Sequence, residues 1–114
     1  MNLLKLKFKK FSSRAIKIEI YKENEKIGRC FLYLIKNDLY EEPYCLLEDV
    51  FIEEKFRGKG YGSFLVKRAI ELAKKLNCYK IVATSKFERE HVHKFYEKLG
   101  FKKFGYEFRM DLKW

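Results

Sequence analysis

The residues of this chain best suited to chemistry lie in RGKGYG, Arg57 to Gly62. Glycines alternate at positions 58, 60 and 62, with Arg57 in front and Lys59 between them. The apolar run LLEDVFI precedes this stretch and a helical pattern follows, so it reads as a strand-to-helix turn. Such a turn attracts anions. The first helical N–H groups have no intrahelical partner, and the helix dipole places partial positive charge there. Glycines also let phosphate oxygens reach the backbone with no Cβ in the way.

Three phosphate-binding patterns share that physics. The P-loop sequence Gly-x-x-x-x-Gly-Lys-Ser/Thr is absent. The dinucleotide fingerprint Gly-x-Gly-x-x-Gly fits poorly, because Ser63 occupies the third glycine position. Five residues also separate the strand from Gly58, and the next strand ends in Ser85 instead of an acid. The third pattern is Arg/Gln-x-x-Gly-x-Gly/Ala, matched by Arg57, Gly60 and Gly62. It resembles the pyrophosphate-binding signature of the GNAT acyl-CoA N-acyltransferases, and the resemblance extends from about Cys45 to Leu112. LEDVFIEEKFRGKGYGS is similar to that family's fourth strand, loop and third helix start. HVHKFYEKLGF is similar to its last helix, and GYEFRMDL to its closing strand.

That resemblance implies a GNAT-like fold and an acetyl-CoA-dependent N-acetyltransferase, with acetyl-CoA as co-substrate and no metal. The cofactor would lie in a cleft where the fourth and fifth strands splay apart. Backbone groups of Val50, Phe51 and Ile52 would pair with its pantetheine arm. The N–H groups of Gly58, Lys59, Gly60, Tyr61, Gly62 and Ser63 would hold the pyrophosphate, with Arg57 beside it. A strand N–H near Val50 would polarise the thioester carbonyl. The acceptor is a primary amine that attacks directly in a ternary complex, and it must lose a proton first. Glu48 is the candidate base, directly or through water. Tyr96 is the candidate acid for the departing thiolate, because a phenol with a pKa near ~10 can hydrogen-bond to it and donate a proton. Each has a plainer reading: Tyr96 also continues the apolar stripe of its helix, and Glu48 also reads as a strand-end carboxylate in water.

The elements that must position these groups follow from periodicity. Residues 3–11 alternate Leu4, Leu6 and Phe8 with lysines, which predicts a half-buried strand. Residues 16–21 and 27–35 predict a hairpin around the polar turn KENEK, and 46–52 a further strand in which Glu48 and Asp49 face opposite sides. Leu65, Ala69, Leu72 and Leu76 recur at helical spacing, with Asn77 suited to the helix end. YKIVATS, 79–85, predicts a strand and completes a parallel βαβ unit. A last helix is expected over about 89–99, with Gly100 as its stop, then one or two C-terminal strands in FKKFGYEFRMDL. The expected architecture is therefore an α/β (α+β) mixed sheet: N-terminal antiparallel strands, a βαβ unit, a last helix and closing strands.

A chain of 114 residues is expected to be a single domain, 1–114. No apolar run reaches the ~18 residues of a membrane span, and the N-terminus lacks a signal-peptide block. The expected setting is the cytoplasm, with no membrane partner. Three cysteines, odd in number and far apart, argue for reduced buried thiols and against a disulfide or zinc framework. His91 and His93 flank Val92 with no third ligand in view, so no metal is expected. The +10 net charge is spread along the chain without a basic tail, and coenzyme A is itself a polyanion, so nucleic acid is not the expected partner. The competing reading is a non-catalytic binding module of the same fold. Two departures from the family pattern matter. FSSRA leaves no room for the helices that usually line the acceptor pocket, and Arg89 replaces a frequent cofactor-contacting asparagine. The acceptor side should therefore be open, which predicts either a homodimer or a protein amine as acceptor in place of a small one.

Overall fold

The structure, a computed structural model, describes residues 3–113. Strand β1 (Arg14–Lys22) carries Ile16, Ile18 and Ile20 at alternate positions, all half-buried against the core. A two-residue turn leads into β2 (Glu25–Ile35), antiparallel to it, where Cys30, Leu32 and Leu34 are buried. Strand β3 (Tyr44–Ile52) pairs antiparallel with β2, and β4 (Ile81–Ala83) pairs parallel with β3. The sheet order is β1-β2-β3-β4.

Helix α1 (Tyr61–Lys75) is the crossover between β3 and β4. Its stripe Leu65, Val66, Ala69 and Ala73 packs on Cys30, Leu32, Leu34, Cys45 and Leu47, and these residues form the core. Burying such aliphatic side chains stabilises the fold by roughly 1.5–3 kcal/mol each. Asn77 ends the helix in a left-handed conformation (φ 63°), as its residue type suggested. Helix α2 (Glu90–Lys98) follows β4 and places Phe95, Tyr96 and Leu99 against the same core. Gly100 (φ 103°) then turns the chain out of the helix.

Two expected strands are absent. Residues 3–13 and 101–113 form no strand, although both alternate in the expected way. Alternation makes a segment able to pair, but a strand also needs a partner edge, and neither segment meets one. Leu3, Leu4, Leu6 and Phe8 are each 85% or more exposed. Only Phe101 of the C-terminal segment packs on the core. The two arms stretch the molecule to 63 × 32 × 29 Å, with a radius of gyration of 17.2 Å. A compact chain of this length would have a radius of about 13 Å.

Candidate active site

The site is built on an interruption in the sheet. β3 and β4 pair only from Cys45 to Leu47, opposite Ile81 to Ala83. Beyond Leu47, β3 runs on to Ile52 while the chain leaves β4, so the β3 edge from Glu48 to Ile52 meets no strand on that side. The cause is a bulge in β3. Phe31 pairs with Glu48 and Arg29 with Phe51, so Asp49 and Val50 together oppose Cys30. Asp49 takes a left-handed conformation (φ 54°), and the Arg29 guanidinium donates a hydrogen bond to its carbonyl. An extra residue of this kind bends its strand and adds twist, which carries β3 away from β4.

The bulge also corrects the expectation of a regular strand. Glu48 and Phe51 lie on one face, with Phe31 and Arg29, while Val50 and Ile52 turn toward the helices. Asp49 is exposed within the bulge. Glu48 thus lies on the open face of the sheet, at the edge of a shallow depression of about 350 Å³ that Arg14, Ala15, Tyr33, Ile35 and Leu46 also line.

At the end of β3 a short 3-10 turn, Glu54–Phe56, leads to Arg57 and the glycines. Gly58 (φ 76°) and Gly60 (φ 89°) both occupy the left-handed region, where a side chain is strained, so the turn requires glycine there. Gly60 is the N-cap of α1 and has no side chain to cap it. The first N–H bonded back into the helix is that of Phe64, to the Gly60 carbonyl at 3.1 Å. The N–H groups of Tyr61, Gly62 and Ser63 precede it, and the first turn contains no acidic residue. Gly62 packs close: a Cβ there would sit 3.7 Å from the Phe95 ring and 3.9 Å from Ile52. This contact brings α2 onto the start of α1.

Two guanidinium groups lie against the Phe51 ring near the end of β3. Arg57 Nε donates to the Ile52 carbonyl at 2.7 Å, and its guanidinium lies 5.2 Å from the Phe51 ring centre. Arg29 lies 4.9 Å from the same ring. Sequence reading missed Arg29, because only the β2–β3 register brings it beside Phe51. Lys59 Nζ lies 5.9 Å from the Phe56 ring centre, and Phe56 in turn meets Tyr61 edge-on at 6.2 Å.

On the helix side of the interruption, the Tyr96 ring makes edge contacts with Phe95 and Phe101, each at 5.2 Å. Burial holds its phenol above the ordinary tyrosine pKa; the Cys30 thiol adds to this and Arg89 opposes it. Arg89, the N-cap of α2, is therefore an electrostatic neighbour of Tyr96. His93 Nε2 lies 2.8 Å from the Lys86 carbonyl and ties the loop after β4 to α2. Just past β4, the Ser85 hydroxyl oxygen is buried without a hydrogen-bond partner among the described residues. Sequence reading used Ser85 only as a strand end. The cysteines are free. Burial lifts the Cys30 thiol to about 11, and burial together with the neighbouring Cys78 lifts Cys45 to about 12, so both stay protonated near neutral pH.

This arrangement matches known proteins closely enough to assign a family. Residues 4–101 match the Acetyltransferase (GNAT) family. A glucosamine 6-phosphate N-acetyltransferase of Trypanosoma brucei brucei is 36% identical over 66 residues, covering 58% of this chain and 43% of that protein. An acetyltransferase structure from Trypanosoma brucei superposes with a TM-score of 0.71 at 28% identity, covering 79% of this chain and 62% of that one. A transcriptional regulator from Bacillus halodurans C-125 superposes with a TM-score of 0.80 at 30% identity, covering 86% of this chain and 66% of that one. The chain belongs to the GNAT acetyltransferase family. It spans less than half the length of the Trypanosoma sequence relative.

The site suits coenzyme A on its own evidence. The uncapped N–H groups of α1, flanked by Arg57 and Lys59, fit a pyrophosphate. The free β3 edge offers backbone groups to an amide-bearing chain. Arg57→Ala should weaken acetyl-CoA binding by the ~1–3 kcal/mol of a charged hydrogen bond, read by isothermal titration. The Ile52 carbonyl it leaves is at the surface, so melting should change little.

Proposed function

We propose that this protein transfers the acetyl group of acetyl-CoA to a primary amine by direct attack within a ternary complex. The observation that carries this reading is the interruption of the sheet beyond Leu47, with Glu48 on the unpaired β3 edge and Tyr96 packed on the core near Cys30. Glu48 faces the open side, from which an acceptor can enter, and would take the proton of the acceptor's ammonium, directly or through water, before the free amine attacks. Tyr96, on α2, would protonate the departing thiolate, with the Arg89 cation nearby to favour that charge. Acetyl-CoA supplies the activated thioester. Val50, Phe51 and Ile52 orient its pantetheine arm, residues 58–63 and Arg57 hold its pyrophosphate, and the Val50 N–H polarises the carbonyl.

The acceptor side supports one further detail. The open depression carries a cation, Arg14, and a carboxylate, Glu48, with Ser13 and the apolar and aromatic side chains of Ala15, Tyr33, Ile35 and Leu46. An acceptor bearing both an amine and an anionic group would satisfy both. Glucosamine 6-phosphate, for which the Trypanosoma relative is named, has that chemistry. The depression is shallow, so a protein amine that brings its own contacts remains the second acceptor class.

Titration with acetyl-CoA and with duplex DNA tests the class. Micromolar binding of the first, with only salt-sensitive binding of the second, supports the enzyme. Tight DNA binding without acetyl-CoA binding would instead make the chain a binding module. Glu48→Gln should lower kcat/KM, by the ~10²–10⁴ of a lost general base if the carboxylate acts directly and by less if water relays the proton. An unchanged kcat/KM would return Glu48 to a surface carboxylate.

A further inference from the structure

One side chain, Arg29, touches the bulge of β3 at two points. Its guanidinium donates to the Asp49 carbonyl and lies 4.9 Å from the centre of the Phe51 ring. The bulge is enclosed by two cross-strand pairs, Phe31 with Glu48 and Gly28 with Ile52. Between those pairs β2 has residues 29 and 30, whereas β3 has residues 49, 50 and 51. The Gly28 end is tightly closed. A Cβ there would sit 2.6 Å from both Ile52 Cδ1 and the Phe51 carbonyl oxygen, so the strands meet at this pair only around glycine.

The extra residue decides which side chains reach the core. Leu47 is buried, and Val50 and Ile52 pack on the same core. A regular strand continuing from Leu47 would instead turn Asp49 and Phe51 to that face. The bulge therefore keeps the Asp49 carboxylate out of the core, but it requires Asp49 at φ 54°, where a residue other than glycine is uncommon.

The Asp49 carbonyl and the Val50 N–H belong to one peptide plane. In a trans peptide the two point in opposite directions, and this one is trans. A guanidinium that holds the oxygen thus fixes the direction of the N–H, away from Arg29. A hydrogen bond accepted at the oxygen also polarises the plane and strengthens the N–H as a donor.

We propose that Arg29 is a positioning residue for acetyl transfer: it holds the Asp49–Val50 peptide so that the Val50 N–H points at the thioester carbonyl. This inference rests on the reaction proposed above. Arg29 acts through the peptide and not on the substrates, which separates its role from binding. An N–H aimed at an oxygen that gains charge as the amine adds stabilises the transition state more than the ground state. The glycine turn at 58–62 is untouched by a change at Arg29, so affinity for acetyl-CoA should hold.

Arg29→Met keeps a stem of similar reach and removes the donor. It should lower kcat roughly 10-fold to 10²-fold, as a misaimed group does, while the KM for acetyl-CoA stays near that of the parent. Arg29→Lys restores a cationic donor and should recover most of the lost kcat. Circular dichroism verifies that both variants are folded. In the protein without substrates, the Asp49 and Val50 amide resonances should shift in Arg29→Met more than those of α1, and move back in Arg29→Lys. Parent-like kcat in Arg29→Met, no recovery with lysine, or unmoved Asp49 and Val50 resonances would each overturn the proposal. A raised KM at unchanged kcat would also overturn it, by making Arg29 a binding cation. A parent without acetyl transfer would sink the reaction itself, and the resonances, read without substrate, would still decide whether Arg29 holds this peptide.

Discussion

Tyr96→Phe should lower turnover by the ~10²–10⁴ typical of a lost general acid, while leaving the melting temperature nearly unchanged. The substitution keeps the ring, and with it the edge contacts to Phe95 and Phe101 and the packing on the core. Only the proton donor is lost. Burial raises the phenol pKa, which keeps the proton in place at working pH while making the phenol a weaker acid. The group is neutral when protonated, so a raised pKa extends its competent form upward. Tyr96 should therefore add no falling limb to the kcat profile below its ordinary value near 10. Turnover equal to the parent, measured by thiol release at saturating substrates, would make Tyr96 a packing residue.

Gly60→Val should abolish measurable acetyl-CoA binding, with a loss of roughly 10²-fold or more. Two charge-assisted hydrogen bonds from the turn, at ~1.5–3 kcal/mol each, account for that size. A Cβ at Gly60 meets no atom within 4 Å, so the side chain enters the space where a pyrophosphate would approach the N–H groups of α1. The backbone contributes a second effect. Gly60 sits at φ +89°, where an L side chain costs about 1–2 kcal/mol, so melting should fall by several degrees without unfolding the chain. Parent-like titration of a folded Gly60→Val protein would remove the turn as an anion site.

Much of this molecule is written locally. The alternation of Ile16, Ile18 and Ile20, and of Cys30, Leu32 and Leu34, sets two strands and their buried faces. The spacing of Leu65, Ala69 and Ala73 sets α1, and Asn77 and Gly100 mark where helices stop. Arg57, Gly60 and Gly62 locate the turn in the sequence, and its left-handed backbone at Gly58 and Gly60 requires glycine at those two positions. Local pattern did not contain the bulge at Asp49. It arises from how β2 and β3 register against each other, and that register decides which face Glu48 takes and brings Arg29 to Phe51. Nor could alternation tell a strand from an arm. Residues 3–11 and 103–112 carry the same period as β1, yet only β1 meets an edge with free N–H and C=O groups. A residue's period is a property of its own segment, whereas pairing is a property of two segments at once, and only the folded sheet decides which edges are left open.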